Sequence, residues 1–288
     1  MSSKFTAACL QNNATPDVAH NIEVSLRLAR KAVGDGAKLI ATPEYFSGLE
    51  TKNGRFLPAA FEEVDQPVLP VFAQAARELG VWFLLGSLGV TGQDGRIHNR
   101  SYLLNDAGEI TARYDKIHMF DVNLDGGSYR ESATISPGCE AIVADVPWAR
   151  LGLSICYDLR FGALYRDLAM AGADVLATPA AFTKVTGEAH WHVLQRARAI
   201  ENGAFVIAPC QYGEVTGGGE CYGHSLIVDP WGTVLSDAGD GEGYAIAELD
   251  MEQVVAARNR IPSLQHAREF RSAGHGGRPI STKIGEAA

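Results

Sequence analysis

The chain has 288 residues, 46% of them hydrophobic, which is enough for one large domain with a well-buried core. Its net charge is −9 and no run of Lys and Arg stands out, which argues against nucleic acid and anionic membrane as partners. No uncharged apolar run approaches the roughly 20 residues that span a bilayer. The N-terminus lacks a basic segment followed by a long apolar one, so no signal peptide is expected.

In chain order, residues 5–10 read as a strand. Residues 17–33 carry apolar side chains at 18, 22, 26, 29 and 33, the spacing of a helix. A strand over 38–41 is followed by a helix over 66–79 with Pro67 near its first turn, then by a strand over 81–88. Residues 100–105 and 109–114 form a predicted hairpin about Asp106-Ala-Gly108. A second strand pair, 141–146 and 150–155, turns around Pro147. Helices over 162–171 and 188–202 flank a strand at 174–178, and strands at 205–208, 224–228 and 244–248 precede a short helix at 251–259. Strands linked both by hairpins and by helices imply α/β with mixed sheets. No Pro- or Ser-rich linker divides the chain. Residues 1–271 therefore read as one domain, and 272–288 as a loose tail or one docked on a partner subunit.

The five cysteines, at 9, 139, 156, 210 and 221, are odd in number and include no Cys-x-x-Cys pair. That argues against a zinc ribbon or a redox dithiol and for a reducing, cytoplasmic compartment. Cys156 ends the apolar stretch Arg150-Leu-Gly-Leu-Ser-Ile-Cys156, where the chain must turn, and a thiol at such a turn can be presented to a substrate. Alternation puts Leu151, Leu153 and Ile155 on one face and the small residues Gly152 and Ser154 with Cys156 on the other, the second face being expected beneath a site. The bland alternative is a buried structural thiol. Cys210, ending Phe-Val-Ile-Ala-Pro-Cys210, rivals it on spacing; Cys9, Cys139 and Cys221 are weaker.

Two other strand-like runs end on functional groups. Lys38-Leu-Ile-Ala-Thr-Pro-Glu44 delivers a carboxylate, a general acid and base or else an exposed turn residue. Ile110-Thr-Ala-Arg-Tyr-Asp-Lys116 delivers an amine. It is either a solvated surface lysine or a cation that lowers the thiol pKa and stabilises an oxyanion. Glu131, in Tyr129-Arg-Glu-Ser132, is the least distinctive of the set, its bland reading being a partner for Arg130 or another nearby cation. A nucleophile, a base and a cation at strand ends suggest covalent acyl transfer. His190 and His192 could suggest a metal, but helical residues two apart face different ways and no third ligand stands nearby in sequence. The Gly217-Gly-Gly219 run reads as a loop rather than a phosphate cradle, since no Lys-Ser/Thr follows. Eight histidines leave a papain-like Cys–His pair open, although no papain signature surrounds any cysteine.

Three blocks in order carry a family resemblance: Thr42-Pro-Glu44-Tyr-Phe46, Tyr114-Asp-Lys116-Ile-His-Met-Phe-Asp121 and Gly152-Leu-Ser-Ile-Cys156-Tyr-Asp-Leu-Arg-Phe161. The chain resembles the nitrilase superfamily of carbon–nitrogen hydrolases. The likeness continues through Tyr129-Arg-Glu-Ser132, Ser136-Pro-Gly138, Thr186-Gly-Glu-Ala-His-Trp-His192, Gln195-Arg-Ala-Arg-Ala-Ile-Glu-Asn202 and Tyr222-Gly-His-Ser-Leu-Ile-Val-Asp-Pro-Trp-Gly232. It ends near Ile261-Pro-Ser-Leu-Gln-His266 and so covers roughly residues 4–270. The resemblance implies a four-layer αββα sandwich, two copies of which pair through their outer helices. It implies a Glu-Lys-Cys triad at Glu44, Lys116 and Cys156, with Glu131 supporting the lysine, and this decides between Cys156 and Cys210. No cofactor or metal is implied.

The flanking blocks look most like the deaminated glutathione amidase and omega-amidase branch, which acts on small carboxylate-bearing amides; an N-carbamoyl amidohydrolase and a non-catalytic scaffold are the alternatives. Between Phe120 and Glu131 the chain departs from the pattern, where relatives carry a slightly longer Pro-Gly-containing loop near the site entrance. Substrates bearing carboxylates require a cation. Arg160, four residues past the thiol, is the first choice, with a structural pair to Asp158 or Asp167 as the alternative. Tyr45, Phe120, Tyr157, Phe182 and Thr183 are expected pocket walls by their places beside the matched blocks.

Overall fold

The computed structural model describes residues 3–52, 55–124 and 127–270; the expected tail at 272–288 lies outside them. Two sheets lie face to face between two helical layers. The first sheet contains β1 (Lys4–Gln11), β2 (Leu39–Ala41), β3 (Trp82–Thr91), β4 (Ile97–Leu104) and β5 (Ile110–Asp115). The second contains β6 (Val143–Val146), β7 (Ala149–Leu153), β8 (Val175–Ala177), β9 (Phe205–Ala208), β10 (Leu226–Val228) and β11 (Val234–Asp237). β12 (Gly243–Asp250) returns to the edge of the first sheet.

Both sheets are mixed. β1, β2 and β3 run parallel, whereas β12 pairs antiparallel with β1, and β4 with β3. β7, β8 and β9 run parallel, β6 pairs antiparallel with β7 and β10 with β9, and β11 pairs antiparallel with β10 at the edge. The expected 100–114 hairpin is β4–β5.

Alternation along the strands builds the layers. Ala8, Leu10, Ile40, Phe83 and Leu85 face α1 (Val18–Gly34) and α2 (Val68–Leu79), packing on Leu28, Phe72 and Ala76. Ala7, Cys9, Leu39, Ala41, Leu84 and Leu103 face the other sheet and join its Leu151, Leu153, Val175 and Ala177. α3 (Gly162–Met170) and α4 (Lys184–Asn202) cover the far side through Tyr165, Leu168, Trp191 and Ala199, and α5 (Met251–Arg260) follows β12. The expected four-layer αββα sandwich is therefore the fold. Asp17 caps α1 by accepting from the His20 N–H, and Gly80 ends α2 in the left-handed region where glycine is unstrained.

Two of the boundaries that differ from the expectation have local causes. α4 begins at Lys184, not 188, because Gly187 masks its first turn; the Tyr222 ring lies where a Cβ at 187 would project. β7 stops at Leu153, because the Ile155 N–H turns to the Asp158 carboxylate. The small face of 150–156 is corrected as well. Gly152 lets Leu168 of α3 approach, and the Ser154 hydroxyl meets Tyr165 and Thr178, so this face lies under α3 rather than beneath the site.

Three short hairpins escape sequence reading: Leu49–Lys52 with Arg55–Pro58, Asp121–Leu124 with Gly127–Arg130, and Tyr212–Glu214 with Glu220–Tyr222. They lie outside the two large sheets, and their strands are too short to show an alternation. The Gly217–Gly219 run is the turn of the third, with φ of 87°, 124° and 93°. The departure before Glu131 falls on the second, whose residues 125 and 126 lie outside those described.

Candidate active site

The four candidate residues arrive from four separate segments and meet. Glu44 follows β2 and Lys116 follows β5. Glu131 opens the 3-10 turn Glu131–Ala133, and Cys156 opens another, Cys156–Arg160, just past β7. All are buried, at 3%, 2%, 7% and 7% exposure respectively. Lys116 Nζ donates to Glu44 Oε1 at 3.0 Å and to both Glu131 oxygens at 2.9 Å. Glu44 also accepts from Asn99 Nδ2 and the Ala181 N–H, each at 2.8 Å, and Glu131 from the Phe120 N–H at 2.6 Å. The carboxylates are thus held by fixed donors as well as by the ammonium, the condition for tolerating charge in an interior. Glu131 is not a partner of Arg130, and neither Glu44 nor Lys116 is a surface residue.

Backbone geometry presents the thiol. Cys156 has φ +49°, a left-handed conformation that non-glycine residues hold at a cost, and its N–H donates to the Pro179 carbonyl at 2.8 Å. Among the described residues the Tyr157 N–H has no acceptor, as expected at the start of a helical turn. Beneath the turn lies Asp158, fully buried. It accepts from Tyr114 Oη at 2.6 Å, the Ile155 N–H at 2.9 Å and the His118 N–H at 3.0 Å, and it meets His118 Nδ1 at 2.7 Å. One carboxylate therefore ties the segment after Lys116 to the turn of Cys156. Replacing Asp158 with Asn sets an amide N–H₂ against these donors. We expect a stability loss of about 3 kcal/mol, measured by urea unfolding.

Electrostatics keep the thiol neutral at rest. Burial first, then the Glu44 charge and a hydrogen bond to it, push Cys156 well above the usual thiol range, outweighing the opposite pull of Lys116. A thiolate formed by Lys116 alone, one route open in the sequence, is not what this environment favours. Burial pulls Lys116 down, but Glu131 and Glu44 overcome it and hold the amine protonated. Burial raises Glu131 despite Lys116. The rival Cys210 is also buried, pushed up by burial to about 12, and belongs to the core between the sheets.

The cluster lies at the base of a cleft of about 420 Å³, counted out to its open mouth. Tyr45, Phe120, Tyr157, Phe182 and Thr183 all line it, as expected. Leu49, Phe56, Ala181 and Thr186 line it too and were missed, as was Asn99 on Glu44. Phe56 arrives on an unforeseen hairpin, and nothing local marks Asn99. Arg160 does not line the base. Its guanidinium lies over the rings of Tyr157 and Phe182, at 5.8 and 5.4 Å, and touches His190 Nδ1 at 3.4 Å. Among the described residues it pairs with neither Asp158 nor Asp167. His190 and His192 diverge, as the helix requires; His192 Nε2 faces Asp237 at 3.1 Å.

A four-layer αββα sandwich with a Glu–Lys–Glu–Cys cluster in a cleft is the arrangement that the family resemblance implies. The chain belongs to the carbon–nitrogen hydrolase family, whose profile matches residues 6–259. Within it, the relatives indicate the amidase branch of the nitrilase superfamily. The deaminated glutathione amidase of Synechocystis sp. (strain PCC 6803 / GT-S) is 41% identical over 268 residues, covering 91% of this chain and 97% of that protein. Omega-amidase NIT2-B of Xenopus laevis is 31% identical, covering 93% and 96%. The crystal structure of the C. elegans NitFhit protein superposes with a TM-score of 0.84 at 29% identity, covering 96% of this chain and 69% of that one. Among the described residues no helix is long and apolar enough to cross a membrane.

Proposed function

We propose that this chain is a cysteine-dependent amidase that hydrolyses the terminal amide of a small, carboxylate-bearing substrate of the deaminated glutathione kind to acid and ammonia. The observation that carries the reading is the convergence of Glu44, Lys116, Glu131 and Cys156 in one cleft. In the proposed mechanism Glu44 takes the proton from Cys156 as sulfur attacks the amide carbon, consistent with a thiol that is neutral at rest. The oxyanion is held by the Lys116 ammonium and the unpaired Tyr157 N–H. The C–N bond breaks as Glu44 returns the proton to nitrogen, and ammonia leaves a thioester on Cys156. Glu44 then takes a proton from water, which attacks the thioester; the C–S bond breaks, Glu44 returns the proton to sulfur, and the acid leaves with the thiol restored. Glu131 orients Lys116. Every step is acid–base or acyl transfer by these side chains.

Arg160, above the aromatic wall and free of an acidic partner among the described residues, is the proposed cation for the substrate carboxylate. Arg160→Lys removes the planar fork. We expect KM for dicarboxylate monoamides to rise about tenfold, with neutral amides little changed; equal effects on both would remove this role. A panel of deaminated glutathione, 2-oxo-dicarboxylate monoamides, N-carbamoyl amino acids and nitriles, read by ammonia release, tests the substrate class. Preference for the monoamides would favour omega-amidase, the reading supported by the Xenopus relative. Absence of turnover on the whole panel would favour a scaffold.

A homodimer is part of the same proposal. Val185, Val193 and Ile200 lie exposed along one side of α4, with Met170 exposed on α3, an apolar outer face suited to a second copy. Five cysteines without a disulfide support a reducing, cytoplasmic setting.

A further inference from the structure

A second cluster of chemistry-bearing side chains lies outside the cleft and takes no part in the proposed reaction. His192 on α4, His224 just before β10 and Asp237 at the end of β11 come from three elements distant in sequence. Their ligand-type atoms all lie within 4.8 Å of one another. His192 Nε2 is 3.1 Å from Asp237 Oδ2, and His224 Nδ1 is 3.0 Å from both Asp237 oxygens.

Two further observations bear on how the cluster is held. His224 Nε2 faces the Asp240 carboxylate at 2.8 Å. A carboxylate on the far nitrogen can keep a ring proton there, so that Nδ1, which faces Asp237, is the nitrogen that gives up its proton when a metal takes its place. This is how outer carboxylates fix metal-binding histidines. His224 also has φ +53°, a strained conformation for a residue with a side chain. The strain is sustained by its N–H bonding to the Gly239 carbonyl and its carbonyl accepting Trp191 Nε1 at 2.8 Å. The Gly239 N–H in turn fixes Asp237 Oδ1 at 2.8 Å, and the Tyr222 ring stacks on His224 at 4.6 Å.

We propose that His192, His224 and Asp237 form a binding site for a divalent transition metal of the zinc class. Two imidazoles and one carboxylate suit Zn²⁺, Ni²⁺ or Co²⁺, whereas Mg²⁺ and Ca²⁺ want oxygen donors. Bond lengths of about 2.0–2.1 Å in a tetrahedron require donor separations of about 3.3 Å, so the His–Asp contacts at 3.0 and 3.1 Å open by a few tenths, while the two imidazoles, within 4.8 Å of each other, close on the ion by side-chain rotation. All three side chains are partly exposed, which gives the ion a route in and a water as fourth ligand. The site ties α4 to the β10–β11 hairpin. Its role is structural, one side chain removed from the cleft: Trp191, beside His192, packs on Phe182 at 5.0 Å.

The test uses full-length chelator-treated protein carrying Cys156→Ala, so that the active-site thiol cannot bind the metal. Titration with ZnCl₂ in a calorimeter is expected to give one site per chain. Thermal unfolding at a hundred times the dissociation constant is expected to rise by about 5 °C, with no shift from MgCl₂. His192→Ala, a substitution on a partly exposed helix face, is expected to lower zinc affinity at least tenfold and remove the shift, with the metal-free unfolding temperature unchanged. Absence of saturable binding overturns the site. So does an affinity in His192→Ala and Asp237→Asn that is unchanged from the Cys156→Ala parent, which would place the zinc on Cys139 or elsewhere.

Discussion

Cys156→Ala is expected to abolish amide turnover, with a loss on the order of 10⁴-fold or more in kcat, because it removes the atom that forms the thioester. The fold is expected to survive. The thiol is small, neutral and buried, and alanine at φ +49° costs no more than cysteine does, so the stability change should stay within about 1 kcal/mol. Ammonia release and urea unfolding on the same preparation check both halves. A rate loss below about tenfold would sink the nucleophile assignment. Mass spectrometry of the parent protein during turnover is expected to trap the acyl group on this cysteine, which would identify the substrate directly.

Lys116→Met is expected to fail in a different way. It leaves the Glu44 and Glu131 carboxylates buried with no cation between them, whereas each now bonds the ammonium at 2.9–3.0 Å. Removing one partner of a buried charge cluster costs about 3–5 kcal/mol. For a chain of this size that lowers the unfolding temperature by about 10 °C. The pH dependence carries the diagnosis. Burial already raises Glu131 in the parent, and the variant removes the Lys116 charge that opposes it, so the folded state is expected to bind more protons through this carboxyl and stability to rise as pH falls. The deficit against the parent should therefore shrink from pH 8 towards pH 5. In the parent, the raised Lys116 contributes stability below the unfolded lysine value of about 10.4 and loses it only as pH climbs through the higher folded one. Adding Glu131→Gln to Lys116→Met is expected to restore part of the stability and none of the activity. A deficit that does not vary with pH would mean that lost packing, not stranded charge, is responsible.

Much of this molecule could be read from local pattern. The strands at 5–10 and 205–208 and the helices at 17–33 and 162–171 are long or strongly periodic, and the structure has them within a residue or two. The three outlying hairpins could not be read that way. Their strands are too short for alternation to select them, even though Leu49 and Cys221 join a small buried cluster with Tyr45 and Val215, and one of them delivers Phe56 to the wall. The small face of Gly152 and Ser154 illustrates the same limit: small size fits room for a substrate and room for a helix equally well, and only the position of α3 decides.

The sequence by itself determined which residue types are offered: a carboxylate, an amine and a thiol, each just past the end of an apolar run. Their order along the chain was enough to suggest the family. Only tertiary structure decided what those groups experience. The protonation of Cys156 depends on burial and on Glu44, 112 residues earlier. The orientation of its turn depends on Asp158 gripping His118, and the partners of His192 lie on β11 and the turn before β10. Charge, desolvation and coordination act over a few ångströms of space, and one-dimensional spacing carries no record of which distant segments folding will bring within that range.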